Sequence, residues 1–332
     1  MNDAQMLHIP GRNIPAPSSI SPEAQAALTM LATLRPVPDY PALDDIKGWE
    51  AYVRQGEAMI LAMSDNPGLD AQIASEPISL GGVPGYLVHP RQNYAEDRIV
   101  YYVHGGALVL GGGEACRFMA KGTALGLGAK LYAVDYRMPP HHPYPTPLQD
   151  CLEGYYYLLQ HYRPEQIVLH GPSAGGNLAA ALVLRLQAEA APLPAGVILV
   201  TPELDLTESG DSFAVMTGVD VMLKAPLMPV NLLYANGHDL ADPYLSPLFG
   251  DFSHGFPPTL LTAGTRDLFL SNAVRMHNRL RRAGNHSELY IEEAMPHGGF
   301  LGNTAEDAAL IADIRNFAER AWSGELRPEK VL

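Results

Sequence analysis

The sequence predicts an α/β fold with a mainly parallel central sheet of about eight strands and helices on both faces. Two observations carry this prediction. From about residue 73 onward, short apolar runs alternate with longer segments that have the i, i+3/i+4 spacing of amphipathic helices, an alternation typical of parallel sheets covered on both sides. In addition, the apolar run at 167–170 leads through a glycine-rich turn directly into a helix-forming segment.

The predicted elements follow one another along the chain. Strands are predicted near 73–79, 83–89, 98–104, 130–135, 166–171, 196–201, 258–263 and 287–293. One helix is predicted between Leu148 and Tyr162, where apolar side chains recur every three or four residues. Another begins after Thr304, a candidate N-cap residue with Asp307 three positions further on.

One segment combines a strand, a tight turn and a helix around a single serine. Residues 171–175 read Gly-Pro-Ser-Ala-Gly, which is the G-x-S-x-G form of a nucleophile elbow. Small residues beside the serine tolerate strained dihedral angles and close backbone approach. The N-terminus of the following helix favours negative charge. The motif therefore predicts Ser173 as a nucleophile.

A serine nucleophile needs a base to take its proton and a carboxylate to orient that base. In proteins with this type of elbow, the chain order is serine, then aspartate or glutamate, then histidine. Asp267 follows an apolar strand and a glycine turn, at the carboxyl end of the strand, where open α/β sheets place their sites. His297 lies in a Pro/Gly loop after the last predicted strand. We predict Asp267 as the orienting carboxylate and His297 as the general base.

Other histidines and aspartates are interpreted as structural. His170, one strand step before the elbow, is expected to be packed and hydrogen-bonded. Four more of the twelve histidines show no partner pattern and are expected to be solvated: His238, His254, His277 and His286. Three aspartates compete with Asp267: Asp205, Asp242 and Asp251. Asp267 is preferred because it lies between the last two predicted strands.

A third element would stabilise the negative charge that acyl transfer places on the carbonyl oxygen. The strand at 99–103 opens into His-Gly-Gly-Ala at 104–107, a version of the HGGG-type loop that supplies an N–H donor in lipases and esterases. The second donor would be the N–H of Ala174, the residue after the nucleophile. The three glycines at 111–113 resemble a phosphate cradle, but no P-loop lysine and serine follow them. We interpret them as a turn or the start of a helix.

Together these segments resemble the bacterial hormone-sensitive-lipase-like esterases, a branch of the α/β-hydrolases, from about Gly82 to the C-terminus. The markers in chain order are His104-Gly105-Gly106, residues 135–145, residues 171–176, Asp205-Leu206-Thr207, residues 242–248, Asp267 and His297. Residues 135–145 look like the family's Y-R-L-A-P-E-H-P-F-P stretch. The resemblance implies an α/β-hydrolase fold and the following site residues: Ser173, Asp267 and His297 as a catalytic triad, Gly106, Ala107 and Ala174 at the oxyanion-hole positions, and Gly105 supporting the loop.

The resemblance also implies a helical cap over the site. Two regions do not fit the alternation of strands and helices: residues 1–50, with a helix-like segment at 22–34, and residues 206–245. They are expected to form the cap, while 51–205 and 246–332 form the catalytic core. Methionine adapts to irregular apolar surfaces, so the second region is expected to line an acyl pocket with its apolar residues Met216, Met222, Leu223, Met228, Leu232, Leu233 and Tyr234. The alternative is that they pack the cap onto the core.

The chain departs from the family pattern at four positions. Ala107 replaces the third glycine of the loop but still offers an N–H group. Pro172 stands where the family has Asp or Thr, and proline removes one N–H donor. Glu203 stands where many members have tryptophan, and Leu268 replaces a proline. None of these changes removes a member of the expected triad.

Composition limits the classes of partner and the compartment. The chain has 332 residues with 47% hydrophobic and 17% charged residues, enough for a sizeable core. A net charge of −14 argues against nucleic acid and anionic membranes as partners. There is no run of about eighteen apolar residues and no signal-peptide pattern at the N-terminus. Cys116 and Cys151, both in predicted helices, are interpreted as free thiols, which predicts a cytoplasmic location.

Sequence and resemblance predict a serine carboxylesterase that acts on short- to medium-chain esters through an acyl-enzyme. A lactone hydrolase of a catabolic pathway would use the same triad, and amide or aryl-ester substrates stay open. A non-catalytic ligand-binding protein on a hydrolase scaffold is the alternative of another class. No metal or organic cofactor is expected, because no Cys/His/Asp ligand set is clustered in the sequence. The partners expected are a small ester and, by the resemblance, a second copy that pairs through the last edge strand, near 288–293.

Overall fold

The computed structural model describes residues 11, 13–34, 37–62 and 67–326. This part of the chain contains eight strands: β1 Ile73–Leu80, β2 Val83–Pro90, β3 Ile99–Val103, β4 Lys130–Val134, β5 Ile167–Pro172, β6 Gly196–Val200, β7 Thr259–Gly264 and β8 Ser287–Glu292. They form one sheet in the order β1-β2-β4-β3-β5-β6-β7-β8. Only β2 runs antiparallel to its neighbours, β1 and β4. The predicted strands and the mainly parallel sheet are confirmed.

The helices of the described residues are α1 Pro22–Leu34, α2 Ile46–Ala62, α3 Pro67–Gln72, α4 Glu114–Leu127, α5 Thr146–Leu159, α6 Ala174–Ala188, α7 Asp211–Val215, α8 Met228–Ala235, α9 Leu270–Arg282 and α10 Ala305–Ser323. The helices predicted near 22–34, 148–162 and after 304 are therefore confirmed. The long helix α2 was not predicted. Its apolar residues Ile46, Trp49 and Val53 do recur at helical spacing, so the signal was present in the sequence and was missed.

The sheet is covered on both faces because its central strands are apolar on both sides. In β5, Ile167 and Leu169 join the core cluster that contains α5, α6 and α9. Val168, between them, joins the cluster that contains α4 and α10. Successive side chains of a strand point to opposite faces, so a continuous apolar run supplies both cores. This arrangement explains why such strands show no polar alternation in the sequence.

Helix α10 begins as the sequence indicates. The Thr304 hydroxyl accepts the backbone N–H of Asp307 at 3.1 Å, so the predicted N-cap is confirmed. The helix ends at Gly324, which has a left-handed φ of 81° and satisfies the pattern of a glycine after the last turn. Both ends of this helix are thus set by local sequence.

The two regions outside the alternation make different contacts. Ala24 and Leu28 of α1 are buried in the core cluster of α4 and α10, and the Ser21 hydroxyl donates to Glu306 at 2.8 Å. Trp49 of α2 instead packs with Val230 of α8, in the second region. The boundaries of the cap stay a prediction.

The two cysteines lie in helices, as predicted. Cys116 in α4 and Cys151 in α5 are both buried and unpaired. Burial raises the pKa of each thiol well above its usual value, so both are poor nucleophiles. Separately, none of the helices in the described ranges is long and apolar enough to cross a bilayer.

Candidate active site

The predicted site residues follow the carboxyl ends of four parallel strands. His104 follows β3, Ser173 follows β5, Asp267 comes three residues after β7, and His297 follows β8. Parallel strands of one sheet end at the same edge, where α/β proteins commonly bind their ligands. The topology therefore brings together residues that are far apart in sequence.

The turn at Ser173 is strained and can be formed only with small neighbours. Ser173 has φ 54° and ψ −122°, a conformation that L-residues rarely adopt. Its N–H donates to the carbonyl of Val200 in β6 at 2.8 Å. A Cβ atom at Gly175 would lie 2.0 Å from the carbonyl oxygen of Val103, and one at Gly171 would lie 2.2 Å from that of Gly175. The elbow thus requires glycine at both positions.

Three predicted side chains form one hydrogen-bonded series. His297 Nε2 lies 2.8 Å from Ser173 Oγ, and His297 Nδ1 lies 3.1 Å from Asp267 Oδ1. Asp267 is fully buried. The ring of Phe269 contacts the imidazole edge-on, with centroids 4.8 Å apart. The geometry is that of a nucleophile, a base and an orienting acid.

The charges around His297 decide its protonation. Burial by itself would lower the pKa of the imidazole. The charge and hydrogen bond of Asp267, together with the charge of Asp220, outweigh burial and raise the pKa above its ordinary value. The surroundings of the ring therefore stabilise the imidazolium that forms when the serine loses its proton.

Asp220 is a site residue that the sequence did not reveal. It is fully buried, and its carboxylate accepts the N–H groups of Met222 at 2.8 Å, Leu223 at 3.1 Å, Leu268 at 2.8 Å and His297 at 3.3 Å. It joins the segment after α7 to the turn of Asp267 and to the His297 loop. No motif surrounds it, so no sequence signal could have identified it.

The N–H of Leu268 also explains one departure from the family pattern, because a proline at this position could not donate to Asp220.

The loop predicted to bind the oxyanion lies directly against the elbow. A Cβ atom at Gly105 would lie 2.9 Å from the carbonyl oxygen of Pro172 and 3.3 Å from Ser173 Cβ. Gly106 and Ala107 have φ 126° and 52°, so their peptide groups turn away from ordinary strand or helix geometry. Neither N–H group donates a hydrogen bond to a backbone carbonyl of the described residues.

The third predicted donor is at the start of α6. Ala174 is the first residue of this helix, and the N–H groups of a helix's first turn have no partner inside the helix. The N–H groups of Gly106, Ala107 and Ala174 are thus available beside Ser173. Donors fixed in this way can stabilise charge as it develops on a carbonyl oxygen.

Side chains on neighbouring elements hold this loop in place. The His104 ring stacks on Tyr136 at 4.0 Å with an angle of 7° between the rings. The Tyr136 hydroxyl donates to the His104 carbonyl at 2.8 Å. Burial lowers the pKa of His104 to about 4, so the ring is neutral.

The glycine run that follows is a turn before a helix, as predicted. The Glu57 carboxylate accepts the N–H of Gly111 at 2.6 Å, and Gly113 is the N-cap of α4.

Two carboxyl groups after β6 are part of the same neighbourhood. Glu203 is fully buried, and its N–H donates to the Ser173 carbonyl at 3.2 Å. Burial, then the charge of Glu208, raises its pKa to about 8. Glu208 Oε1 accepts the N–H of Leu227, and burial raises the pKa of Glu208 to about 7. The sequence marked Glu203 only as a departure from the family pattern.

The competing aspartates have other partners. Asp205 is buried and binds Arg275 at 2.6 Å, Asp242 accepts the N–H of Tyr244 at 2.8 Å, and Asp251 is exposed. None of them reaches His297.

The other histidines only partly meet expectation. His170 is packed, with the Tyr102 ring at 5.6 Å, but its Nδ1 has no partner in the described residues. Three of the four histidines expected to be solvated are exposed: His238, His254 and His286. The expectation is wrong for His277, which is half-buried and contacts the Ser287 hydroxyl at 2.9 Å, because β8 packs beside α9.

Within the part of the chain that the structure describes, the fold brings together one group of possible metal ligands that is not visible in the sequence. One ligand atom each from His104, Cys116 and Asp135 lies within 4.8 Å of the others. Asp135 already accepts the N–H of Gly113 at 2.9 Å, and His104 Nδ1 lies 2.8 Å from the Gly105 carbonyl oxygen. Burial holds the Cys116 thiol in its protonated form, which disfavours metal binding. The expectation that no such residues cluster is corrected, and their present contacts belong to the loop.

Apolar residues of the second region pack against the loops of the site. Phe213 and Leu227 are buried together with Leu268 and Phe269, and the partly buried Met216 and Ala107 pack against them. Residues after β6 therefore contact both the turn of Asp267 and the oxyanion loop. Met222 and Met228 are partly buried but lie outside this cluster.

Sequence comparison places the chain among esterases. A sequence profile of the α/β-hydrolase fold matches residues 100–301. An esterase of Acinetobacter venetianus is 32% identical over 247 residues, which are 73% of this chain and 80% of that protein. An acetyl-hydrolase of Streptomyces hygroscopicus is 30% identical over 62% of this chain and 69% of its own length.

Solved structures agree with the sequence comparison. Esterase E25 superimposes with a TM-score of 0.86 at 34% identity, covering 94% of this chain and 98% of its own. An esterase from the bacterial hormone-sensitive lipase family superimposes with a TM-score of 0.80 at 29% identity, covering 91% and 99%. The likeness extends beyond the elbow to nearly the whole chain.

Proposed function

We propose that the chain, which belongs to the α/β-hydrolase family, is a serine carboxylesterase of the hormone-sensitive-lipase type. One observation carries the proposal: the hydrogen-bonded series Ser173, His297 and Asp267 lies beside a loop with available N–H groups. Esterases among the relatives and structural neighbours support the same activity.

The geometry supports acyl transfer in two steps. Ser173 Oγ attacks the ester carbonyl while His297 Nε2 takes its proton, and Asp267 holds the ring and stabilises the imidazolium. The negatively charged oxygen accepts hydrogen bonds from the N–H groups of Gly106, Ala107 and Ala174. His297 then protonates the leaving alcohol, which leaves an acyl-enzyme. Water then attacks this intermediate while His297 takes its proton. The bond between the acyl carbon and Ser173 Oγ breaks, the carboxylic acid leaves, and His297 returns the proton to Ser173 Oγ.

The substrates are short- to medium-chain esters. Phe213 and Leu227 pack with Phe269 into a compact apolar cluster that contacts Ala107 of the oxyanion loop, and we assign to it the role of a cover over the acyl chain. Such a cover favours a limited acyl chain over a long one. A lactone, as a cyclic ester, would react by the same steps and is the second candidate.

Location and assembly are part of the proposal. Two buried, unpaired thiols suit a reducing compartment, so the protein is assigned to the cytoplasm. Strand β8 is an edge of the sheet, and an edge strand can pair with a second copy. We assign to it the interface of a homodimer.

The test is hydrolysis of p-nitrophenyl esters from acetate to laurate. Turnover should be highest with short acyl chains and should vanish in Ser173→Ala. Ser253→Ala is the control, because Ser253 is exposed and distant in sequence from Ser173, and it should keep the wild-type rate. Circular dichroism confirms that both variants fold. A folded wild type that hydrolyses no ester in the series contradicts the proposal, and lactones are then assayed.

A further inference from the structure

The Glu203 carboxyl group is buried beside the nucleophile without a hydrogen-bond partner. Its side chain is fully buried, and neither Oε1 nor Oε2 meets a donor among the described residues. Its backbone N–H donates to the Ser173 carbonyl at 3.2 Å, which fixes it next to the elbow.

Two more unpartnered polar atoms come from α8, which is joined to the segment after β6 by a hydrogen bond from Asn231 Nδ2 to the Leu206 carbonyl at 3.3 Å. Asn231 Oδ1 and Tyr234 Oη are buried, and neither has a partner within the described ranges. Asn231 lowers the pKa of Glu203, and Glu203 raises that of Tyr234, and all three side chains are fully buried. We call Glu203, Asn231 and Tyr234 the polar cluster. Tyr40, before α2, is also near Glu203.

Unpartnered buried polar groups are rare because each has given up water without a replacement. The polar cluster has four such atoms: Oε1 and Oε2 of Glu203, Oδ1 of Asn231 and Oη of Tyr234. The desolvation penalty of these atoms is removed when a ligand supplies both a hydrogen-bond donor and an acceptor. A hydroxyl group supplies both in one small unit.

The protonation of Glu203 favours a neutral ligand over a cationic one. Burial raises its pKa to about 8, so at neutral pH the carboxyl keeps its proton and can donate as well as accept. An ammonium group would instead require the carboxylate.

We propose that the polar cluster binds a hydroxyl group of the ester substrate, so that the enzyme prefers esters with a hydroxyl in the acyl or alcohol part over their unsubstituted counterparts. The inference rests on the proposed function, since it concerns a subsite of the same centre. Glu203 is the specificity-determining residue of this subsite. Its backbone N–H is hydrogen-bonded to the Ser173 carbonyl, and its carboxyl group has no partner and can bind the substrate hydroxyl.

The experiment compares kcat/KM within two matched pairs of esters. For the acyl part, the pair is p-nitrophenyl butyrate and p-nitrophenyl 3-hydroxybutyrate. For the alcohol part, it is ethyl butyrate and 2-hydroxyethyl butyrate, followed by pH-stat titration. We expect the wild type to prefer the hydroxylated ester in at least one pair by about tenfold or more. The ratio within a pair cancels any effect of a variant on His297, since both esters use the same base.

Glu203→Leu should reduce this preference by about 10- to 100-fold, which corresponds to about 1.4 to 2.8 kcal/mol. The loss should appear mainly in KM for the hydroxylated ester, because the subsite binds substrate and transition state alike. Glu203→Gln, which can still donate and accept, should keep the preference within about threefold. If the leucine variant does not fold, Tyr234→Phe removes one hydroxyl from the polar cluster and should still reduce the preference severalfold.

Two results overturn the inference: a wild type with no preference in either pair, or a folded Glu203→Leu variant with the wild-type preference. In both cases the polar cluster holds only water. A wild type that hydrolyses none of the four esters contradicts the proposed function instead, so the two failures are distinguishable.

Discussion

At the residue scale, His297 is held by carboxylates from two directions. Asp267 binds Nδ1 of the ring at 3.1 Å, and Asp220 binds the backbone N–H at 3.3 Å. The first orients the imidazole, and the second positions the loop that carries it. The two contacts have different consequences for activity, which variants can separate.

Asp267→Asn should lower kcat for p-nitrophenyl butyrate by about 10²- to 10⁴-fold with little change in KM. The amide keeps the shape of the carboxyl but favours the wrong imidazole tautomer and leaves the imidazolium without its counter-charge. Asp251→Asn is the matched control, because Asp251 is exposed and away from His297. An Asp267→Asn enzyme as active as the wild type would move the orienting acid elsewhere.

The pH profile should report the raised pKa of His297. Only the neutral imidazole accepts the serine proton, so kcat/KM should fall as the pH drops through a midpoint above about 6.5, the ordinary histidine value. Asp220→Asn removes a negative charge that raises the pKa of the ring in addition to the larger contribution of Asp267. It should therefore move the midpoint to lower pH. Profiles of the wild type and the variant between pH 5 and 9 provide the check, and an unmoved or higher midpoint would contradict this account of the charges.

At the element scale, the loop between β3 and α4 depends on backbone shape more than on side-chain chemistry. Gly106 has φ 126°, and a Cβ atom there would lie 2.0 Å from the Leu110 carbonyl oxygen. The N–H groups of Val109 and Leu110 both donate to the Gly106 carbonyl. A single residue thus closes the turn and aims the N–H groups of the oxyanion loop.

Gly106→Ala should reduce kcat by about 10²- to 10³-fold, the cost of losing one oxyanion donor, because the clash displaces the turn. Gly122→Ala is the control: Gly122 is exposed in α4, and a Cβ atom there meets nothing within 4 Å. Alanine at that position should raise the free energy of unfolding by up to about 1 kcal/mol and leave kcat unchanged. Steady-state kinetics and urea unfolding measure both effects, and wild-type kcat in folded Gly106→Ala would refute the assigned role.

At the scale of the whole molecule, the exposed edge of the sheet determines how two copies could meet. Strand β8 has a neighbour only on the β7 side. Ile291, on this edge strand, is 38% exposed. A pair of β8 strands related by a two-fold axis would continue the sheet across the dimer and bury the edge.

Light scattering should give about twice the chain mass of 35.9 kDa for the wild type. Ile291→Asp should shift the mass to that of one chain, because two buried aspartates would face each other across the axis. Leu125→Asp introduces the same charge at a side chain of equal exposure, 38%, in α4, and should stay dimeric. A wild type that elutes as a single chain would rule out the β8 interface.

Prediction from sequence succeeded where a feature depends on neighbouring residues. The strands, the elbow and the N-cap of α10 are local patterns of apolarity, glycine and hydrogen-bonding side chains. Prediction was less complete where several segments meet. Asp220 takes part in the site only through the N–H groups of Leu268 and His297, which lie on two other segments of the chain.

The sequence by itself determined the sheet, the family resemblance and the identity of Ser173, Asp267 and His297 as candidates. These follow from chain order and from residue types that a strained turn or a parallel strand requires. Only the tertiary structure decided the distances between the three side chains and the position of Asp220. It also decided which residues lie near His104, namely Cys116 and Asp135, and that the carboxyl group of Glu203 has no partner. The reason is physical: burial, pKa and hydrogen-bond satisfaction depend on atoms that are distant in the chain and become neighbours only when the sheet and its helices pack.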